Sequence, residues 1–142
     1  MAAAENRDAL LAANASFYRA LEAFDLETME RLWLHDGWVR CIHPGSDAIV
    51  GWPAVRESFA RIFATDSWVR VTPTAIDVMV VGELGVVACV ENLTAKRDGD
   101  VGVQAAQATN IFRNTAFGWR MLHHHASPAP MHVTQHFDGG LH

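Results

Sequence analysis

Only two cysteines, Cys41 and Cys89, occur in 142 residues, without metal-ligand spacing. That excludes a disulfide scaffold and a cysteine-based metal site, and leaves two small buried thiols as the reading. Basic charge is also sparse: eleven Lys and Arg stand against sixteen Asp and Glu, a formal charge of -5, and they are scattered along the chain. Such a chain offers no electrostatic footprint for nucleic acid. No apolar run approaches the roughly 20 residues that cross a bilayer, so no membrane partner is expected. The alanine-rich start turns acidic at Glu5, unlike a secretory leader, and a cytoplasmic protein is expected.

Half of the residues are hydrophobic, enough for one sizeable core. In residues 6–24, Leu10, Phe17, Leu21 and Phe24 recur at helical spacing and predict a first helix. Asp25 can cap a second, carrying Leu26, Met29, Leu32 and Trp33 and ending near Asp36 and Gly37. Residues 38–43 alternate as a brief strand, and Gly51-Trp52-Pro53 opens a third helix with Val55, Phe59, Ile62 and Phe63 as its stripe. Beyond Asp66 the chain is β-branched. Strands are predicted at 68–81, 86–97, 101–113 and 119–126, separated by segments of hairpin length. Tight connections require antiparallel pairing, and helices that precede the strands give an α+β layout with the helices on one face. Pro73 demands an edge or a bulge and is read as the bend that curls the sheet. A single domain is expected over residues 1–128, with 129–142 as a loosely held extension.

The densest cluster of titratable groups is His123-His124-His125, inside the last predicted strand. Strict alternation would put Trp119, Met121, His123 and His125 on one face and Leu122, His124 and Ala126 on the other. Apolar content does not decide which face is internal. His123 and His125 share a face, but no Cys pair or His-Glu motif stands nearby to complete a zinc site, so no metal is expected.

Several stretches resemble a known superfamily. They are Asn14-Ala15-Ser16-Phe17-Tyr18 ahead of Asp25, Trp33, Cys41-Ile42-His43-Pro44-Gly45, Gly51 with Val55 and Phe59, Ala108-Thr109-Asn110-Ile111-Phe112, and Trp119-x3-His123-His124-His125-x-Ser127. In order and spacing this is similar to the nuclear transport factor 2-like superfamily, in its SnoaL-like branch and close to the calcium/calmodulin-dependent kinase II association domain. The likeness covers about residues 6–128. It implies a cone-shaped curved antiparallel sheet wrapped on three N-terminal helices, an open pocket between them, and a homodimer through the outer sheet face. It also places His124 in the pocket and His123 and His125 outside.

The same resemblance places His43, just before Pro44, where ketosteroid isomerase carries its base, whereas Phe17 and Phe59 stand where that enzyme has pocket tyrosines, and its protonated acid falls at or beside Thr109. Three arginines of the kinase domain's pocket fall at Asn92, Asn110 and Ala126. His43 is thus the candidate acid or base, titrating near neutrality. His124, Asn110, Asn92, Trp52, Trp33 and Phe59 are the candidate ligand-binding residues, and Tyr18 is read as helix packing. The expected function is cofactor-free binding of a small apolar carbonyl ligand, with isomerase, cyclase or dehydratase chemistry. The alternative is a non-catalytic association or ligand-sensing domain.

Overall fold

The computed structural model describes residues 3–131. Three helices, α1 (Ala3–Ala23), α2 (Leu26–Leu32) and α3 (Trp52–Phe63), cover one face of a six-stranded sheet. The strands are β1 (Arg40–Ile42), β2 (Ile49–Val50), β3 (Trp68–Val81), β4 (Leu84–Arg97), β5 (Asp100–Thr115) and β6 (Gly118–Ala129), in the order β2-β1-β6-β5-β4-β3. The α+β layout agrees with the sequence expectation. Residues 132–142, most of the expected extension, lie outside the described residues, and Ala129 is the last residue of β6. No described helix is long and apolar enough to cross a membrane.

Helix α1 buries Leu10, Asn14, Phe17, Tyr18 and Ala20. It stops because Phe24 enters the left-handed region at φ 53° and the Asp25 amide returns to the Ala20 carbonyl at 2.9 Å, the six-to-one bond of a helix C-cap. Asp25 then caps α2, its carboxylate accepting from the Thr28 amide at 3.1 Å and hydroxyl at 2.6 Å. These bonds hold the Asp25 carboxyl below its ordinary pKa. The second helix ends at Leu32 rather than near Gly37. Trp33 turns extended, its ring buried against Phe17, Phe59 and Trp52, and its backbone bridges to Met121 of β6.

Strands β3 to β6 form consecutive antiparallel hairpins, but β1 pairs parallel with β6, Cys41 lying beside His124. The all-antiparallel expectation is therefore corrected at one pairing. A parallel neighbour needs a long crossover, and α3 with β3–β5 supplies it. Pro73 lies on the edge strand β3, next to a bulge between Thr74 and Asp77 where Ala75 has φ 51°. A second bulge corrects the parity of β6. Ile111 pairs with His123 and Phe112 with Met121, so Leu122 is the extra residue. Trp119 and Met121 therefore face inward together with His124 and Ala126.

Candidate functional site

A cleft of about 320 Å³ opens between the end of α1, helix α3 and the inner face of β3 and β4. Leu21, Phe24, Ile62, Val69, Leu93 and Ala95 form its apolar wall, Trp68, Lys96 and Arg97 its rim, and His43 one of its polar groups. His43 stands one residue past β1. Its carbonyl accepts from the Ser46 amide at 2.9 Å and hydroxyl at 3.0 Å, which pins the backbone there. The ring packs edge-on against Phe59, 5.4 Å between centroids, and its Nε2 lies 3.2 Å from Ser58 Oγ and 3.6 Å from Cys41 Sγ. Burial lowers the His43 pKa and raises that of the Cys41 thiol, so both are neutral at physiological pH. Two larger grooves, about 770 Å³ beside Arg61, Asp66 and Asp98 and about 470 Å³ beside Arg19, Glu22 and Arg70, have charged surface residues in their walls and none of the buried polar groups.

Behind His43 lies a closed polar network in the apolar core. His124 Nδ1 donates to Asn110 Oδ1 at 2.6 Å, and Asn110 Nδ2 donates to Asn14 Oδ1 at 2.8 Å and to the Tyr18 hydroxyl at 3.1 Å. Tyr18 in turn donates to Glu91 Oε2 at 2.7 Å, with Cys89 Sγ 3.4 Å from the same hydroxyl. Glu91 and His124 are 3% and 4% exposed. Their 4.0 Å separation would make an ion pair only with both groups charged, and burial opposes that on each side. It raises the Glu91 pKa against the lowering effect of the Tyr18 bond, and lowers His124 to about 3, with lesser contributions from His43, His123 and His125. His124 is therefore a neutral imidazole with its proton on Nδ1. Burial first, then Glu91, also pushes the Tyr18 phenol up, so it remains a hydrogen-bond donor.

The structure brings His43, His124 and Phe59 together, with the two imidazole centroids 6.5 Å apart, and Asn110 joins them through His124. Asn92 does not belong with them. One step along β4 from Glu91, it faces outward and donates to the Thr72 carbonyl and Thr74 hydroxyl. Trp33 is fully buried core, and Trp52 stacks between it and His35, so neither lines the cleft. His123 and His125 lie on the outer face, 6.1 Å apart. Sequence reasoning missed Asn14, Tyr18, Ser58 and Glu91. The available signal was parity: Val87, Cys89, Glu91 and Leu93 alternate on one face of β4, putting a carboxylate on its apolar side.

Comparison with known proteins agrees with this architecture. The profile of the SnoaL-like domain matches residues 10–132. A candidate dehydratase of the NTF2-like family from Streptomyces avermitilis is 34% identical, with 92% of this chain and 100% of that chain covered and a TM-score of 0.86. A candidate calcium/calmodulin-dependent protein kinase type II association domain from Thiobacillus denitrificans is 31% identical over 84% of this chain and 94% of that chain, with a TM-score of 0.71. The F-box protein SKIP8 of Arabidopsis thaliana is 25% identical over 119 residues, 84% of this chain and 49% of that protein. The chain thus spans about half the length of that relative.

Proposed function

The chain belongs to the SnoaL-like domain family, and from that premise we propose that it binds a small apolar carbonyl compound in the cleft and exchanges a proton with it through His43. The observation that carries the reading is the placement of a neutral imidazole between an apolar cleft and a closed polar network. A base there takes a proton from the carbon beside the ligand carbonyl, the C–H pair forming a C=C bond while the carbonyl π pair moves onto oxygen. Returned to another carbon, that proton completes an isomerisation. Given instead to a hydroxyl on the next carbon, it leaves as water while the double bond forms, and similarity to the Streptomyces candidate dehydratase favours this elimination. Neither outcome needs an oxidant or a cofactor.

Phe17 and Phe59, both buried in the core, stand where ligand-polarising tyrosines would be, so the substrate must carry its own acidifying group. Loss of one oxyanion donor typically costs about 3–4 kcal/mol of transition-state stabilisation, which a second carbonyl on the substrate can offset. Screening β-hydroxy carbonyl and β-dicarbonyl compounds against the wild type and His43→Ala tests the reading. Turnover by the wild type and none by the variant supports it, and equal turnover by both removes His43 from the chemistry.

One observation favours a second reading. Phe17, Phe59 and Trp33 fill much of the space between helices and sheet, as suits a non-catalytic association domain whose outer sheet face does the work. Absence of binding across the same screen, with an intact dimer, would select it. Both readings include a cytoplasmic homodimer.

A further inference from the structure

We propose that Ser58 is the positioning residue of this site: it holds His43 in the Nε2–H tautomer and makes Nδ1 the nitrogen that exchanges the proton. The inference rests on the acid–base reading of His43, but its geometry stands in the resting protein. Ser58 lies on α3, and its Oγ is 2.7 Å from the Val55 carbonyl three residues earlier. A carbonyl can only accept, and a serine hydroxyl has one hydrogen, so that hydrogen is committed to Val55. Toward His43 Nε2, at 3.2 Å, the same oxygen can therefore only accept. The ring must supply the hydrogen. A neutral imidazole has one N–H, so Nδ1 keeps its lone pair.

Among the described residues no strong donor claims that lone pair. The group near Nδ1 is the Cys41 sulfur at 4.0 Å, and no oxygen or nitrogen bonds to Nδ1 among the described residues. When Nδ1 takes a proton, the imidazolium keeps its Nε2–H on Ser58, so no hydroxyl has to rotate and the cation gains a standing acceptor. His124 cannot substitute. Both Asn110 amide hydrogens point to Asn14 and Tyr18, which leaves Asn110 Oδ1 to accept from His124 Nδ1 and fixes the opposite tautomer. Two imidazoles 6.5 Å apart thus have opposite protonated nitrogens, one set by a serine and the other by an asparagine. The titratable or charged groups around His43 are Cys41 on β1, His124 on β6, and Lys96 and Arg97 at the rim, with Glu91 on β4 acting on Cys41.

The test is long-range proton–nitrogen NMR of the full chain labelled with ¹⁵N-histidine, near pH 8 and without ligand. His43→Gln and His124→Gln assign the two rings. Expected is a bare Nδ1 and protonated Nε2 for His43, with the reverse for His124. In Ser58→Ala the two His43 nitrogens should shift toward averaged values while His124 is unmoved, and Ser58→Thr should restore the wild-type pattern. A wild-type His43 protonated on Nδ1, or a Ser58→Ala spectrum identical to wild type, would overturn the assignment. Where the screen yields a substrate, Ser58→Ala should lower kcat about 5- to 10-fold, the scale of one lost hydrogen bond, with KM nearly unchanged and recovery in Ser58→Thr. A loss confined to KM would also overturn the positioning role. A screen without turnover strikes at the proposed reaction and leaves the tautomer result to be read separately.

Discussion

Glu91 and His124 are two buried groups that burial moves toward neutrality from opposite sides, and this sets the pH response of the interior. His124 has a folded pKa of about 3 against 6.5 in the unfolded chain. Its contribution to stability is fully present above about pH 6.5 and is lost as pH falls toward 3, because the unfolded state takes a proton that the folded state refuses. Glu91 acts the other way: with its folded pKa raised, the folded state holds a proton that the unfolded chain has released, so acid favours the fold through this group. Urea unfolding between pH 4 and 7 should therefore show a flatter acid loss in His124→Gln and a steeper one in Glu91→Gln, each by at most about 1.4 kcal/mol per pH unit. Equal slopes in all three proteins would mean that neither pKa is displaced. For His43→Ala the expected result is loss of any activity with stability lowered by no more than about 1 kcal/mol, since one hydrogen bond and a ring edge are removed. If activity is found, it should rise with pH through a midpoint below 6.5, the direction in which burial moves this ring. The sequence made His43 and His124 legible because imidazoles are conspicuous. Glu91 and Tyr18 were not, since a carboxylate in a strand and a tyrosine on a helix ordinarily reach solvent, and their mutual satisfaction 73 residues apart is a tertiary fact.

At the scale of elements, hairpins β3 to β6 could be read from their turns, because such short connections admit only antiparallel neighbours. The early end of α2 could not be read locally: Trp33 suits a helix stripe until its ring and backbone are claimed by Phe59, Trp52 and β6. The bulge at Leu122 was equally hidden. Alternation is a local rule, and one inserted residue brings Trp119 and His124, five apart, onto the same face. Helix α1 packs tightly on β4 at Gly85, where an added Cβ would lie 2.5 Å from Leu10 Cδ2 and 3.1 Å from the Trp119 ring. Leu10 is fully buried and has little room to retreat. Gly85→Ala should thus destabilise by about 1–3 kcal/mol, read as a lower urea midpoint with unchanged slope. A neutral result would mean that α1 can lift from the sheet at no cost.

At the scale of the whole molecule, helices cover one face of the sheet, and among the described residues no element covers the other. Val101 and Val103, 61% and 62% exposed, stand at one end of that face, and Met79, Val81 and Leu84 stand open at the other, with Val86, Ala88 and Val90 of β4 on the same parity between them. Exposed apolar side chains occurring singly are ordinary, but a contiguous set on adjacent strands of a sheet is the mark of an interface. Edge pairing is a poorer way to cover this surface, because β3 at one edge is bent by its bulge beside Pro73 and β2 at the other is two residues long. Face-to-face packing of two copies buries the same patch on both, as a two-fold axis requires. The protein should therefore sediment at micromolar concentration at twice 15.6 kDa. Val103→Asp should shift it toward the monomer, since a charge placed in the apolar part of an interface must be desolvated without a partner. His43 and Ser58 lie on the opposite side of the sheet, so the tautomer pattern of His43 should survive in that monomer, separating assembly from the cleft. A wild type that sediments only at 15.6 kDa would overturn the face-to-face dimer.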